Sequence, residues 1–270
     1  AARLARCCKH LLGGAPAPAG VAAASAEKGK GLLVGTMHDA GPEMLRARAD
    51  IDLVEVEYDT DGRLLTVDER VERMNAEVGD AEYIVMRTTP LSAETVALAH
   101  RLKAVAWHGV GFDPVDVDAL KARGIPLLLP GSANSTAVAE QTMMHMLAVA
   151  RKVKEYDLAA RTGNHVIRET NSLISLEGKT VLIVGFGRIG TRVAKRCAAF
   201  DMNIIVSDPA IPRRAVEGLG YEYCADFHER LADADVVTLH IPARNDGSPI
   251  LGAAEFDAMK PNTILVNCAR

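Results

Sequence analysis

The sequence predicts an α/β protein with two parallel-sheet domains, Rossmann-like or flavodoxin-like, and three observations carry that expectation. Short apolar runs alternate with helical stretches from Gly31 to about Leu129, and a second alternating block runs from Lys179 to the end of the chain. A long helical stretch lies between the two blocks. The second block opens on a glycine-rich turn, GFGRIG, at Gly185 to Gly190. Parallel strands need crossover connections, usually helical, so regular alternation argues for a parallel sheet covered by helices.

In the first block the runs from Leu32 to Thr36, Asp52 to Val56, Tyr83 to Arg87, Ala104 to Trp107 and Pro126 to Leu129 read as strands. The stretches from Glu43 to Ala49, Val67 to Val78, Ser92 to Arg101 and Val115 to Ala122 read as the helices between them. Pro130 and Gly131 then break the pattern. Asn134, Ser135 and Thr136 offer N-caps for a long helix expected to run to about Asp157. Its face of Met143, Met146, Leu147, Ala150 and Val153 reads as core or subunit contact rather than as a cofactor surface. In the second block, Val181 to Val184, Ile204 to Ser207, Asp235 to Ile241 and Thr263 to Val266 read as strands. The expected organisation is an extension over 1–30, a first domain over 31–130, a connecting helix over 131–157 and a second domain over 158–270. A cleft between two such domains is a preferred place for a small ligand.

GFGRIG follows the apolar run Val181-Leu182-Ile183-Val184 and opens a helical face of Ile189, Val193, Cys197 and Phe200. Asp208 closes the next strand, eighteen residues after Gly190. Strand, glycine turn, helix, strand and terminal acid together form a dinucleotide-binding fingerprint. Gly185 permits the tight turn, Gly187 lets the backbone approach a pyrophosphate, and Gly190 lets the helix pack closely on its strand. The helix N-terminus offers unpaired N–H groups and a partial positive charge to the phosphates. Asp208 suits a ribose 2′-OH and would repel a 2′-phosphate, which favours NAD over NADP.

Composition narrows the partners. About half of the 270 residues are apolar (49%) and the net charge is −4, so no nucleic-acid footprint is expected. No apolar stretch approaches the roughly 20 residues of a membrane-spanning helix, and no membrane partner is expected. Five cysteines (Cys7, Cys8, Cys197, Cys224, Cys268) show neither a disulfide framework nor a zinc spacing, so reduced thiols and no metal are expected. Residues 1–30 are rich in Ala, Gly and Pro, carry Arg3, Arg6 and Lys9, and have no acid before Glu27. They read as a transit peptide, a poor secretory signal, a disordered extension or a piece of upstream sequence. The location expected is cytoplasmic, or an organelle if this segment is a transit peptide.

The segments LKAVAWHGVGFDPVDVDALKARGIPLLLPG (Leu102 to Gly131), VAE (Val138 to Glu140), GFGRIG, ADVVTLHIP (Ala234 to Pro242) and MKPNTILVNCAR (Met259 to Arg270) together resemble the D-isomer-specific 2-hydroxyacid dehydrogenase family. That family includes phosphoglycerate, D-lactate and glycerate/hydroxypyruvate dehydrogenases. The resemblance covers roughly Gly31 to Arg270. It implies a substrate domain and an NAD-binding domain with the active site in the cleft, and NAD-dependent interconversion of a D-2-hydroxy acid and its 2-oxo acid. It also implies a homodimer joined through the NAD domain when that domain is complete.

By position, the resemblance places Arg188 and Ile189 with their N–H groups on the pyrophosphate and Asp208 on the adenosine ribose. Cys268 and Ala269 fall beside the nicotinamide, and His240 and Pro242 line the cofactor cleft. A nucleophilic Cys268 is the sharper alternative, but hydride transfer needs no thiolate, and packing is favoured. His240 could equally be a structural histidine. Arg270 corresponds to the catalytic arginine, whose guanidinium can hold a carboxylate through two hydrogen bonds and polarise the neighbouring carbonyl. Gly109, Val110 and Gly111 resemble the loop whose N–H groups hold the substrate carboxylate, with an ordinary turn as the alternative. Arg87 sits where some members place an arginine near the substrate, with a solvent-facing role as the alternative.

The family also uses a downstream Glu and His, the His as proton donor to the carbonyl and the Glu tuning it. Both would lie beyond Arg270. The chain is therefore expected to be a fragment with an incomplete catalytic set, an exposed sheet edge and weak or absent turnover. Two other functions stand beside the enzyme. One is a non-catalytic NAD(H)-sensing protein like the corepressors that resemble this family, marked by partner binding that changes with NADH. The other is an adenosylhomocysteinase-like enzyme, which the block from Gly31 to Gly131 fits poorly.

Overall fold

The computed structural model describes residues 28–269 apart from 57, 61, 171, 172 and 245. The expected extension up to residue 27, and Arg270, lie outside the described residues. The chain divides into two compact units between Ala133 and Asn134.

The first unit contains β1 (Gly29–Val34), α1 (Ala40–Arg46), β2 (Ile51–Val56), a short hairpin of β3 (Asp59–Thr60) and β4 (Arg63–Leu64), and α2 (Val67–Glu77). It continues through β5 (Tyr83–Met86), α3 (Ala93–Leu98), β6 (Ala104–Trp107), α4 (Val117–Ala122) and β7 (Leu127–Leu128). Its sheet is parallel throughout, in the order β2-β1-β5-β6-β7. Leu32, Val34, Ile84, Met86 and Val105 bury their side chains in one core with Met74, Val96 and Leu120 of the helices. Local sequence sets the helix starts. Thr66 accepts from the Glu69 N–H while the Glu69 carboxylate accepts from the Thr66 N–H, a capping box that opens α2. At the starts of α3 and α4 the Ser92 hydroxyl and the Asp116 carboxylate accept from the Thr95 and Ala119 N–H groups.

The second unit begins with α5 (Ser135–Ala150), α6 (Val153–Thr162) and α7 (Ile167–Thr170). Then follow β8 (Thr180–Val184), α8 (Gly190–Ala198), β9 (Asn203–Ser207), α9 (Arg213–Glu217), β10 (Glu222–Tyr223) and a 3-10 helix over Phe227–Asp233. It closes with β11 (Val236–Leu239), α10 (Ala253–Ala258) and β12 (Ile264–Asn267). The sheet is again parallel, in the order β10-β9-β8-β11-β12. Its strands are sandwiched. Val181 and Ile183 of β8 face a layer containing α5 and α8, while Leu182 and Val184 face a second layer with Leu231 and Phe227. A strand buried on both faces is apolar at every position, which is why β8 reads as a continuous run rather than an alternation.

Counted within each unit, the first sheet has the strand order 2-1-3-4-5 and the second 3-2-1-4-5, the two common doubly wound orders. The α/β class with two parallel sheets is therefore the observed one. The long helix differs from expectation, because it stops at Ala150 instead of continuing to about Asp157. Lys152 is left-handed (φ 48°), and the Ala150 carbonyl accepts from the returning Ile174 N–H at 2.9 Å. A contact 24 positions away ends the helix, and no local breaker announces it. Met143, Met146, Leu147 and Ala150 pack into the core as expected, whereas Val153 opens the next helix and is 52% exposed.

Candidate functional site

In an open α/β sheet the strand order reverses at one point, and ligands bind outside the carboxyl ends of the strands there. In the second unit that point lies between β8 and β11, which end at Val184 and Leu239. Gly185 and His240 follow directly. Gly185 has φ +95°, and a Cβ on it would lie 2.7 Å from the His240 carbonyl oxygen. Both backbone and space therefore require glycine. A Cβ on Gly190, the first residue of α8, would sit 2.0 Å from the Gly185 carbonyl oxygen. Gly187 meets nothing within 4 Å, so its surface is open to an incoming group.

Asp208 closes this turn. One carboxylate oxygen accepts from the Phe186 N–H at 2.7 Å and the other from the Ala210 N–H at 2.8 Å. The acid thus fixes the glycine loop to the end of β9 and keeps lone pairs for a further donor. Among the described residues, the N–H groups of Gly187, Arg188 and Ile189 donate to no protein acceptor. The first turn of α8 carries no acidic residue, so the positive end of its dipole stands unopposed. A cradle of free N–H groups, an open glycine and a nearby acid fits a dinucleotide pyrophosphate and ribose.

His240 donates its backbone N–H to the Val184 carbonyl, and its Nε2 lies 3.0 Å from the Thr238 hydroxyl. Its Nδ1 is buried without a partner, and burial pushes the imidazole pKa down to about 4. The ring is therefore neutral at physiological pH. Pro242 lines an open depression with Ile241, Ala243, Arg244, Asp246 and Ile250. Cys268 packs against the layer containing α5 and α8, and the Ala269 N–H donates to the Asn267 side chain at 2.9 Å.

The first unit reverses strand order between β1 and β5, and its own cluster gathers there. The exposed guanidinium of Arg87 reaches the Thr36 carbonyl just past β1, at 3.4 Å. Thr88 next to it is left-handed (φ 60°), an uncommon conformation for a β-branched residue. Tyr58 holds this corner together. Its hydroxyl donates to the Arg87 carbonyl and contacts the hydroxyls of Thr88 (3.1 Å) and Thr89 (2.6 Å). Its ring packs so close to Gly35 (φ +111°) that a Cβ there would lie 2.6 Å away. At the end of neighbouring β6, His108 precedes Gly109, Val110 and Gly111. Burial and then the Arg87 charge lower its pKa, and its Nδ1 is buried without a partner.

Within each unit the sheet thus brings together several residues that the sequence singled out. In the second they are Gly185 to Gly190, Asp208 and His240; in the first they are Arg87 and Gly109 to Gly111. The role of Arg270 falls on a residue outside the described ones. Sequence reasoning missed Tyr58, Thr88, His108 and Trp107. Tyr58 follows β2 and carries no motif, so only the sheet order reveals it. Trp107 and His108 adjoin the GVG turn, and that adjacency was the available signal.

The model of the "D-isomer specific 2-hydroxyacid dehydrogenase, NAD binding domain" matches residues 143–270. The chain is 39% identical over 207 residues to D-3-phosphoglycerate dehydrogenase of Methanocaldococcus jannaschii, covering 76% of this chain and 38% of the relative. The chain belongs to the D-isomer-specific 2-hydroxyacid dehydrogenase family. Another member, glyoxylate reductase of Thermococcus litoralis, is 35% identical over 69% of this chain and 58% of its own length. The solved structure of the TT0316 protein from Thermus thermophilus matches with a TM-score of 0.74 at 30% identity, over 89% of this chain and 74% of that one. The chain therefore spans about two fifths of the phosphoglycerate dehydrogenase it matches (38%). For the dehydrogenase family the NAD-binding domain is the segment matched, and it contains the glycine cradle, Asp208 and His240.

Proposed function

We propose that the protein is an NAD-dependent 2-hydroxyacid dehydrogenase, interconverting a D-2-hydroxy acid and its 2-oxo acid. The observation that carries this reading is the Asp208 carboxylate bonded to the Phe186 N–H beside three free N–H groups at the head of α8. NAD, when bound, supplies or accepts the hydride. The chain's own residues bind and orient. The N–H groups of Gly187, Arg188 and Ile189 receive the pyrophosphate, and Asp208 takes the adenosine ribose and repels a 2′-phosphate. His240 and Pro242 border the cofactor, while Cys268 and Ala269 pass the chain beside the nicotinamide. Neutral His240 adds no charge to oppose hydride transfer. On the first unit, the loop of Gly109, Val110 and Gly111 takes the substrate carboxylate with Arg87 nearby. Arg270 is assigned the catalytic contact to the carboxylate and carbonyl.

The substrate class proposed is a small 2-hydroxy acid, phosphoglycerate-like or smaller. The protein would act as a homodimer through its second unit, and the exposed Met144, Val149, Val153 and Leu158 support that reading. The compartment proposed is the cytoplasm, or an organelle if residues 1–30 address one; no helix among the described residues is long and apolar enough to cross a membrane. The test follows NADH absorbance at 340 nm with a panel of 2-oxo acids, including glyoxylate and phosphohydroxypyruvate. Because the family's Glu and His would follow Arg270, the assay uses the full-length protein: oxidation of NADH by at least one acid supports the enzyme, and no turnover with any removes it.

A further inference from the structure

Trp107 is the only tryptophan of the chain and the last residue of β6. It is 5% exposed, and two hydrogen bonds run from it to the loop that follows. Its indole N–H donates to the Gly111 carbonyl at 2.7 Å, and its own carbonyl accepts from the Gly109 N–H at 3.0 Å. The ring sits directly beneath the turn, so that a Cβ on Gly109 would lie 2.7 Å from Nε1. One residue therefore clamps both glycines of Gly109-Val110-Gly111. Among the described residues, the N–H groups of Val110 and Gly111 donate to no protein acceptor. Glycines lose the most conformational freedom on ordering, so a loop with two of them binds weakly unless it is held beforehand.

We propose that Trp107 is the positioning residue of this loop, clamping Gly109 and Gly111 so that the Val110 and Gly111 N–H groups stand ready for a carboxylate of a 2-oxo or 2-hydroxy acid. The inference rests on the proposed reading of the loop as the carboxylate site and deepens it. Trp107 acts through peptide groups and touches no substrate. Phenylalanine at 107 would keep the packing but lose the donor and leave the Gly111 carbonyl unpaired. A histidine would keep a ring N–H.

The test is calorimetric titration of the whole chain with oxamate and with D-3-phosphoglycerate, in the presence of NADH, for the wild type, Trp107→Phe, Trp107→His and Val110→Pro. Trp107→Phe should weaken acid binding about tenfold while leaving the NADH dissociation constant within about twofold, and Trp107→His should recover part of the loss. Because Trp107 is the sole indole, its emission in the wild type should change with acid and saturate at the calorimetric concentration. Acid binding by Trp107→Phe equal to the wild type, or an emission unmoved by saturating acid, overturns the role of Trp107. If Trp107→Phe fails to fold, that emission decides the matter. Undiminished binding by Val110→Pro, which removes one loop N–H outright, or no binding of either acid by the wild type, overturns the carboxylate reading itself.

Discussion

His240 is buried with Nδ1 unpaired, and the fold holds its pKa near 4 against an ordinary 6.5. The unfolded chain therefore binds more protons between those values. The contribution is fully present above pH 6.5 and is lost as pH falls toward 4, up to about 3 kcal/mol. Urea denaturation at pH 7, 5 and 4 should show a steeper loss for the wild type than for His240→Gln, which cannot titrate. At Asp208, replacement by Ala removes an acceptor for two backbone N–H groups as well as the proposed ribose contact. Hydrogen bonds to charged groups contribute about 1.5–3 kcal/mol, so NADH affinity should fall roughly 10- to 100-fold. The preference over NADPH should narrow, and calorimetry with both nucleotides reads this. Tyr58→Phe tests the corner of the first unit. It strands the buried Thr89 hydroxyl and takes one of two donors from the Arg87 carbonyl, which keeps the Thr89 N–H, and this should cost about 1–3 kcal/mol of stability. Trp107 emission during urea unfolding follows that loss within the same unit.

The turn between β8 and α8 gives the three glycines different physical duties, and their alanine variants should separate. Gly185→Ala and Gly190→Ala each drive a Cβ into backbone, at 2.7 and 2.0 Å, and should lower the melting temperature strongly or prevent folding of the second unit. Gly187→Ala meets open space and should change stability by less than about 0.5 kcal/mol. It should nevertheless weaken NADH binding about tenfold, because its methyl would occupy the face offered to the pyrophosphate. Thermal melts followed by NADH titration distinguish the two outcomes. The glycine turn was legible in the sequence because each duty is local: a positive φ, a close approach, an open surface. The end of α5 was not, because the Ala150 carbonyl is taken by Ile174, across two further helices. The hairpin of β3 and β4 escaped as well, being two residues per strand and mostly exposed, with no alternation long enough to register.

At the scale of the molecule, each unit has its own sheet and its own core, and ligand binding adds stability by mass action. NADH at a hundred times its dissociation constant should stabilise the unit that holds Asp208 by about 2.7 kcal/mol, read as a shift of the far-UV circular dichroism melt. In Asp208→Ala, with affinity lowered 10- to 100-fold, the same NADH concentration should stabilise by only about 0.4–1.4 kcal/mol if the acid supplies the contact. By itself the sequence determined the class of fold, the two alternating blocks, the glycine fingerprint and its acid, because periodicity and turn chemistry act over a few residues. Only the tertiary structure decided the strand orders, since register and pairing join segments tens of residues apart. Those orders put Arg87 beside Thr36 and under the hold of Tyr58. They also put Gly185 against the His240 carbonyl. No spacing along the chain encodes such neighbours, because they exist only once the parallel strands have paired.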